Sequence, residues 1–293
     1  MSNWHINKMA NLKEIRNRIV SVSSTMQITS AMKMVSAAKL KKAQDAITAM
    51  RPYSQKLTEL IQSLSASLEG DVAANYTTQR EVKKVLVVAI TSNRGLCGAL
   101  NNNVIKQVKI LSETYGHDNV GVFAIGKKAN DGLHKSNYVI ANRSDLFDDL
   151  TFDNTADIAQ SLTHLFLDGE YDKIELVYNQ FVNAATQIVV NEQFLPLAPI
   201  KGANAISSDY IFEPSKEEIV LELIPKSLKT QLYKAVRDSF AAEHGARMTA
   251  MHKATDNATD LRNQLKLTYN KARQAAITGE ILEIVGGAEA LNN

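Results

Sequence analysis

A seven-residue hydrophobic repeat runs along each end of the chain, and the segment between them lacks it. From Leu12 the apolar positions step by three and four through Ile15, Ile19, Val22 and Met26. The seam turns polar at Thr29, Lys33 and Ser36, then apolar again at Leu40, Ala43, Ile47 and Met50, and beyond Pro52 it resumes with Leu57, Ile61, Leu64 and Leu68. This spacing predicts a long helix, and Asn11 to Arg51 alone would measure roughly 60 Å. The other repeat fills Ser215 to Val285. Ser215 and Glu218 form an S-x-x-E capping box ahead of the apolar run Ile219, Val220, Leu223 and Ile224. From Met251 a second seam, rich in small residues, follows: Met251, Ala254, Ala258, Leu261, Leu265, Thr268, Ala272 and Ala275. Pro52 and Pro225 are expected to kink or restart their helices. A polar zone inside a seam marks a stretch that packs loosely or faces something other than its helical partner.

Between the helices the period changes. Val85 to Thr91 (VLVVAIT) is a short continuous apolar run of the kind a buried parallel strand requires. Asn101 to Tyr115 has helical spacing through Val104, Ile105, Val108 and Leu111. Val120 to Ile125 reads as a second strand, Gly126 to Ser136 as a loop or short helix, and Asp157 to Leu167 as a helix. Ile174 to Phe181 and Gln187 to Pro196 read as two further strands, a hairpin through Val182 to Thr186. Alternating strands and helices predict a small α/β domain. The chain thus divides into an N-terminal helix over 9–68, an α/β domain over 80–200 and a C-terminal helix over 214–287. Gly70 to Arg80 and Asn204 to Glu213 read as connecting segments. Residues 1–8 show no pattern and read as a frayed extension, with Met9 as an alternative start.

Composition narrows the class. Apolar residues make up 45% of the chain but aromatics only 6%, which suits long helices better than a compact enzyme. Cys97 is the single cysteine, so no internal disulfide forms and a reducing compartment is expected. No apolar run approaches the length of a membrane span, so direct membrane insertion is not expected. The net charge of +2 is unevenly distributed. Lys13, Arg16, Arg18, Lys33, Lys39, Lys41, Lys42, Arg51 and Lys56 lie in the first helix, whereas Asp145 to Asp157 is acidic. Two different partners are implied.

Candidate chemistry is sparse. In TSNRGLCGALN, Gly95 and Gly98 sit at a strand-to-helix turn that could cradle a phosphate. The stretch matches neither G-x-x-x-x-G-K-[ST] nor G-x-G-x-x-G, and glycines for a tight strand-to-helix turn are the better reading. Cys97 has no histidine nearby in sequence and reads as an inert thiol. His244 and His252 lie too far apart to share a metal in the i, i+4 manner. Neither a catalytic constellation nor a cofactor site emerges. The basic helix is a poor nucleic-acid binder, because Lys39, Lys41 and Lys42 circle it and no aromatics interleave.

Three stretches together resemble the gamma subunits of rotary ATP synthases: LKEIRNRIVSVSSTMQITSAMKMVSAAKLKKAQ, TSNRGLCGALN, and EHGARMTAMHKATDNATDL with LTYNKARQAAITGEILEIVGGA. The resemblance runs from Met9 to about Leu291, and Gly279 departs from the glutamine usual in the bacterial family. It implies an antiparallel coiled coil of the terminal helices with a Rossmann-like α/β domain beside its base. It implies a central shaft that couples proton flow through a membrane ring of c subunits to ATP synthesis at beta subunits. The chain itself would be non-catalytic, without cofactor, peripheral at the cytoplasmic face of the membrane, and partnered by alpha, beta and epsilon subunits and the c ring. By position, Arg273, Gln274, Thr278 and Glu280 match the patch that touches beta subunits near the C-terminus. Met32 and Arg247 match the middle of the shaft, Cys97 matches a loop that meets a beta subunit, and Tyr210 and Glu213 match the foot. An α/β enzyme with a coiled-coil arm and a nucleic-acid-binding coiled coil are the alternatives, and both require the matched stretches to be coincidental.

Antiparallel pairing has a register. If the two proline breaks lie level, paired residue numbers sum to about 277, which sets Val22 against Ala254, Met26 against Met251 and Lys33 against His244. Tyr269 to Val285 would then project unpaired.

Overall fold

The computed structural model describes residues 2–65, 74–136, 138–197 and 216–291. The elements are α1 (Ser2–Ser65), α2 (Ala74–Thr77), β1 (Val85–Ile90), α3 (Leu100–Tyr115), β2 (Val120–Ile125), α4 (Lys127–Leu133), β3 (Tyr138–Asn142), α5 (Phe152–Leu167), β4 (Lys173–Phe181), β5 (Gln187–Leu195) and α6 (Lys216–Leu291). Two compact units result, one of residues 36–247 and one of residues 1–35 with 248–293.

The larger unit is organised by a five-stranded sheet in the order β3-β2-β1-β4-β5. β3, β2, β1 and β4 run parallel, and β5 folds back antiparallel on β4, the hairpin expected from the sequence. Every residue of β1 and β2 is buried, because helices cover both faces; this is why those strands read as unbroken apolar runs. Val85, Val87 and Ala89 pack with Val104, Val108 and Leu111 of α3 and Ala129 and Leu133 of α4. Leu86, Val88 and Ile90 face the other way, onto Ile158, Leu162 and Phe166 of α5 and Ile224, Leu228, Leu232 and Val236 of α6. Each such fully buried side chain contributes about 1.5–3 kcal/mol of burial.

β3 and the short α2 were not anticipated, α2 falling in the expected connecting segment Gly70 to Arg80, and α5 was expected with a later start. β3 is short, lies at the sheet edge and leaves Tyr138 73% exposed, so it lacks the apolar run that reveals a buried strand. α5 starts at Phe152, five residues before its apolar pattern, because the Thr151 side chain caps the helix by accepting from the Asn154 amide (3.3 Å).

In the smaller unit the first seam follows the sequence at each position. Ile15 and Thr29 are buried, and Leu12, Ile19, Val22 and Met26 half-buried, with exposed residues between. Three expectations change. The proline breaks are absent: α1 passes through Pro52 and α6 through Pro225 as helix. Residues from Ser2 onward are helical rather than frayed, since no glycine or proline before Pro52 ends the helix. The register differs by one heptad. The Thr29 and Thr255 hydroxyls lie 2.8 Å apart and the Thr259 hydroxyl donates to Met26 Sδ (3.3 Å), so paired numbers sum to 284 or 285. With the prolines inside the helices, nothing marked a common level, and a heptad seam looks alike when slid by seven.

The second seam departs from expectation at Leu261, Thr268 and Ala275, where the next residue along is the half-buried one, while Leu265 and Ala272 stand as expected. Leu261 is 46% exposed, and its neighbour Arg262 is the half-buried residue, Nη1 reaching 3.6 Å to Met26 Sδ. The aliphatic stem of an arginine fills a seam position as a leucine does. The half-buried positions then continue through Leu265, Tyr269, Ala272, Ala276 and Gly279. Ser215 of the expected capping box lies outside the described residues.

Candidate functional site

In open α/β sheets ligands bind beyond the carboxyl ends of the parallel strands, at helix N-termini. Here that end of the sheet carries TSNRGLCGALN, directly after β1. The α4 amides that could receive an anion are already taken. Ala129 N donates to Thr91 Oγ1 (2.8 Å), Lys128 N to the Ser92 carbonyl (3.1 Å) and Lys127 N to Asn93 Oδ1 (2.9 Å). The Asn93 amide in turn donates to the Ser144 carbonyl (2.8 Å). Gly126 precedes α4 with φ 104°, and a Cβ there would strike the Thr91 carbonyl, so the β1 and β2 ends meet backbone to backbone. Asn101, 8% exposed, fills the space under the loop. Its Oδ1 accepts from Ser92 N (3.0 Å) and its Nδ2 donates to Cys97 Sγ (3.2 Å).

The other side of this end is closed by α6. Arg237 Nη2 donates to the Leu150 carbonyl (3.0 Å) while its guanidinium lies over the Tyr233 ring. Phe240 stacks on Phe147. A Cβ on buried Gly245 would press on the Phe181 ring and the Ala184 backbone, so the hairpin after β4 rests directly on the helix. Arg247 completes the row. Nη2 donates to the carbonyls of Arg94 (3.1 Å) and Gly95 (3.2 Å), and Nη1 pairs with Glu243 Oε1 (2.6 Å). The i, i+4 spacing of Glu243 and Arg247 within EHGAR was the sequence signal for this ion pair, and it went unread.

The electrostatics follow from burial. Glu243 is pushed up by burial, which outweighs the opposing pull of the Arg247, Lys39 and Arg94 charges. Burial, then the positive charges of Arg247 and Lys39, hold the His244 imidazole down to about 4, so it is neutral at physiological pH. The α1 cation acting on His244 is therefore Lys39, where the expected register had set Lys33. His244 stacks edge-on against Phe240, with ring centroids 4.5 Å apart.

The structure brings two of the expected site residues together. Arg247 grips the loop that contains Cys97, yet both are inside the protein, 7% and 1% exposed. The members of that loop facing outward are Arg94, Gly95, Leu96, Gly98 and Ala99. Leu96 has φ 63°, the left-handed region, where an L-residue with a Cβ costs roughly 1–2 kcal/mol. Arg273, Gln274, Thr278 and Glu280 are all exposed on α6, beside the half-buried Ala272, Ala276 and Gly279. Met32 is half-buried on α1. Tyr210 and Glu213 lie outside the described residues.

With this arrangement in view, the chain's relatives are informative. The family described as ATP synthase matches residues 11–291. The ATP synthase gamma chain of Flavobacterium johnsoniae is 77% identical over 285 residues, covering 97% of this chain and all of that one. The ATP synthase gamma chain of Cytophaga hutchinsonii is 52% identical over 296 residues, again covering 97% of this chain and all of that one. The chain belongs to the ATP synthase gamma chain family. Its fold is that of a chain in the rotor of the Euglena gracilis mitochondrial ATP synthase, with a TM-score of 0.67 at 24% identity over 92% of this chain and 99% of that one.

Proposed function

We infer that the chain is the central rotor shaft of a proton-translocating ATP synthase, itself non-catalytic. In this reading 9–68 and 214–287 form the shaft and 80–200 the α/β body beside it. The shaft couples proton flow through the c ring to ATP synthesis and hydrolysis at the beta subunits. The observation that carries the reading is the pairing of the two chain ends as a heptad seam, within a chain 77% identical along nearly its whole length to a gamma chain. The non-catalytic part is supported by the strand ends. At the start of α4, the amides of Lys127, Lys128 and Ala129 already serve Asn93, Ser92 and Thr91.

The partners are alpha, beta and epsilon subunits and the c ring. Arg273, Gln274, Thr278 and Glu280 on the exposed face of α6, Met32 on α1, and Cys97 and Arg247 through the loop they hold meet the alpha/beta ring. Tyr210 and Glu213 meet the c ring and epsilon. The protein acts at the cytoplasmic face of the membrane, as a peripheral subunit. Among the described residues no helix is long and apolar enough to cross a membrane. The test is co-expression with alpha and beta subunits, followed by single-molecule observation of a bead fixed to this chain. Stepwise rotation during ATP hydrolysis is expected. A head that assembles and hydrolyses ATP while the chain stands still would overturn the reading.

A further inference from the structure

The helical seam sets strong donors against a weak acceptor. Met26 of α1 is half-buried, and its Sδ lies 3.3 Å from the Thr259 hydroxyl and 3.6 Å from Arg262 Nη1. A thioether accepts hydrogen bonds poorly. The Thr259 proton is accordingly shared with the Thr255 carbonyl, at 2.9 Å. The guanidinium is served less well. Its Nη2 reaches Asn263 Oδ1 at 3.4 Å, and its Nε is buried without a hydrogen-bond partner among the described residues. A buried charged donor left unmet costs stability. The leucine that would avoid this cost stands one residue away, at Leu261, and is 46% exposed.

What these donors lack is an oxygen at the sulfur. Methionine sulfoxide carries one, a polar acceptor on the same side chain. The change normally disrupts apolar packing. Beside Met26 it would meet a hydroxyl and a guanidinium in place of hydrocarbon. The sulfurs of Met34, 65% exposed, and Met251, 4% exposed, have no such donors among the described residues.

We propose that Met26 is a modification site, at which hydrogen peroxide converts the thioether to the sulfoxide and so ties α1 to α6. A sulfur lone pair takes one peroxide oxygen, the O–O bond breaks, and the other oxygen leaves as water with both protons. Sulfur loses two electrons and the peroxide gains them. The new oxygen accepts from Arg262 and Thr259, so the seam gains a charge-assisted bond where it had a contact to sulfur. Oxidation here tightens the pairing of the chain ends. The inference concerns that pairing alone and stands apart from the shaft reading.

The test uses the full chain, treated with hydrogen peroxide and followed by mass spectrometry and amide hydrogen exchange. Met26 should gain one oxygen, and the α1 and α6 amides around Met26 and Arg262 should exchange about threefold more slowly, the factor of one net hydrogen bond. Met26→Leu, treated in the same way, should show no slowing, which sets aside oxidation at Met34. Met26→Gln brings an amide oxygen to a similar reach and should protect the same amides without peroxide. Arg262→Leu should abolish the gain from oxidation. A chain whose Met34 is fully oxidised while Met26 stays unmodified overturns the site. Oxidised Met26 with unchanged or faster exchange overturns the tie, and slowing that survives in Arg262→Leu overturns the role of Arg262.

Discussion

The same helix is held in two different ways. Inside the α/β unit, α6 is buried on nearly every side: Ala241, Ala242, Glu243, His244 and Gly245 are consecutive and all buried. Large side chains and hydrogen-bonded pairs fix it there. Tyr178 donates to Glu192 Oε2 (2.7 Å), and Gln231 donates to Glu192 Oε1 (2.8 Å) and to the Gln193 carbonyl (3.1 Å). In the helical unit, among the described residues, only Met251 and Ala258 of α6 are fully buried, and the polar contacts across the seam are hydroxyl to hydroxyl, hydroxyl to sulfur and arginine to sulfur. The first region is locked by buried area and satisfied polar networks. The second has a narrow seam of small residues and threonines, whose interlocking is shallow. One helix thus carries a firm anchorage and a lightly held length, and the difference lies in side-chain size more than in helix propensity.

Core truncation should expose the contrast most sharply. Leu232→Ala, on α6 and fully buried against the sheet, is expected to cost about 2–5 kcal/mol by chemical denaturation. Leu265→Ala, half-buried in the seam, should cost under about 1.5 kcal/mol. Equal losses would erase the distinction between the two regions.

Acid should act on the anchored region through His244. The unfolded chain takes up a proton near the ordinary imidazole value of 6.5, and the folded chain resists until about 4. In that window the unfolded state binds more protons, so stability falls as pH drops, by on the order of 3 kcal/mol at the limit. Glu243, raised by burial, works in the opposite sense: its contribution declines as pH rises above its ordinary 4.5. His244→Gln should therefore flatten the stability profile between pH 6.5 and 4. An unchanged slope in that variant would mean that His244 titrates normally.

The seam's register is open to a direct test. With Cys97 replaced by serine, cysteines introduced as Thr29→Cys and Thr255→Cys should join on mild oxidation, their hydroxyls being 2.8 Å apart. The pair Thr29→Cys and Met248→Cys, one heptad away along α6 and so about 10 Å off, should stay reduced. The smallest effect on folding is expected at the exposed face. Arg273→Ala with Glu280→Ala should change stability by under about 1 kcal/mol while lowering ATP turnover of the assembled complex. Wild-type turnover would remove that patch from the set of contacts.

How much of this was legible depended on how local the signal was. The α1 seam could be read residue by residue because heptad spacing is written within a few turns. The α6 seam was followed correctly through Met251, Ala254, Ala258, Leu265 and Ala272 but missed at Leu261, Thr268 and Ala275; at the first of these apolar identity favours Leu261 although Arg262 takes the position. The register was out of reach, since a heptad seam is degenerate to a slip of seven and Pro52 and Pro225 turned out not to break their helices. At the loop, the sequence marks Cys97 as the chemically distinctive residue. Which of Leu96 and Cys97 faces outward depends on Asn101, Ser92 and Arg247, and the last of these is 150 residues away along the chain.

The closed end of the sheet can also be viewed as a binding site supplied with its own ligand. Thr91, Ser92 and Asn93, the three residues directly after β1, present oxygens to the α4 amides and are tethered by the sheet itself. A short, rigid tether gives an effective concentration far above the roughly millimolar value of a flexible linker. A free phosphate at cellular levels competes against that local excess and against the backbone contact at Gly126. Converting this sheet into a nucleotide binder would therefore begin with lowering that effective concentration, by shortening Asn93 and Thr91, before any glycine-rich loop were grafted in.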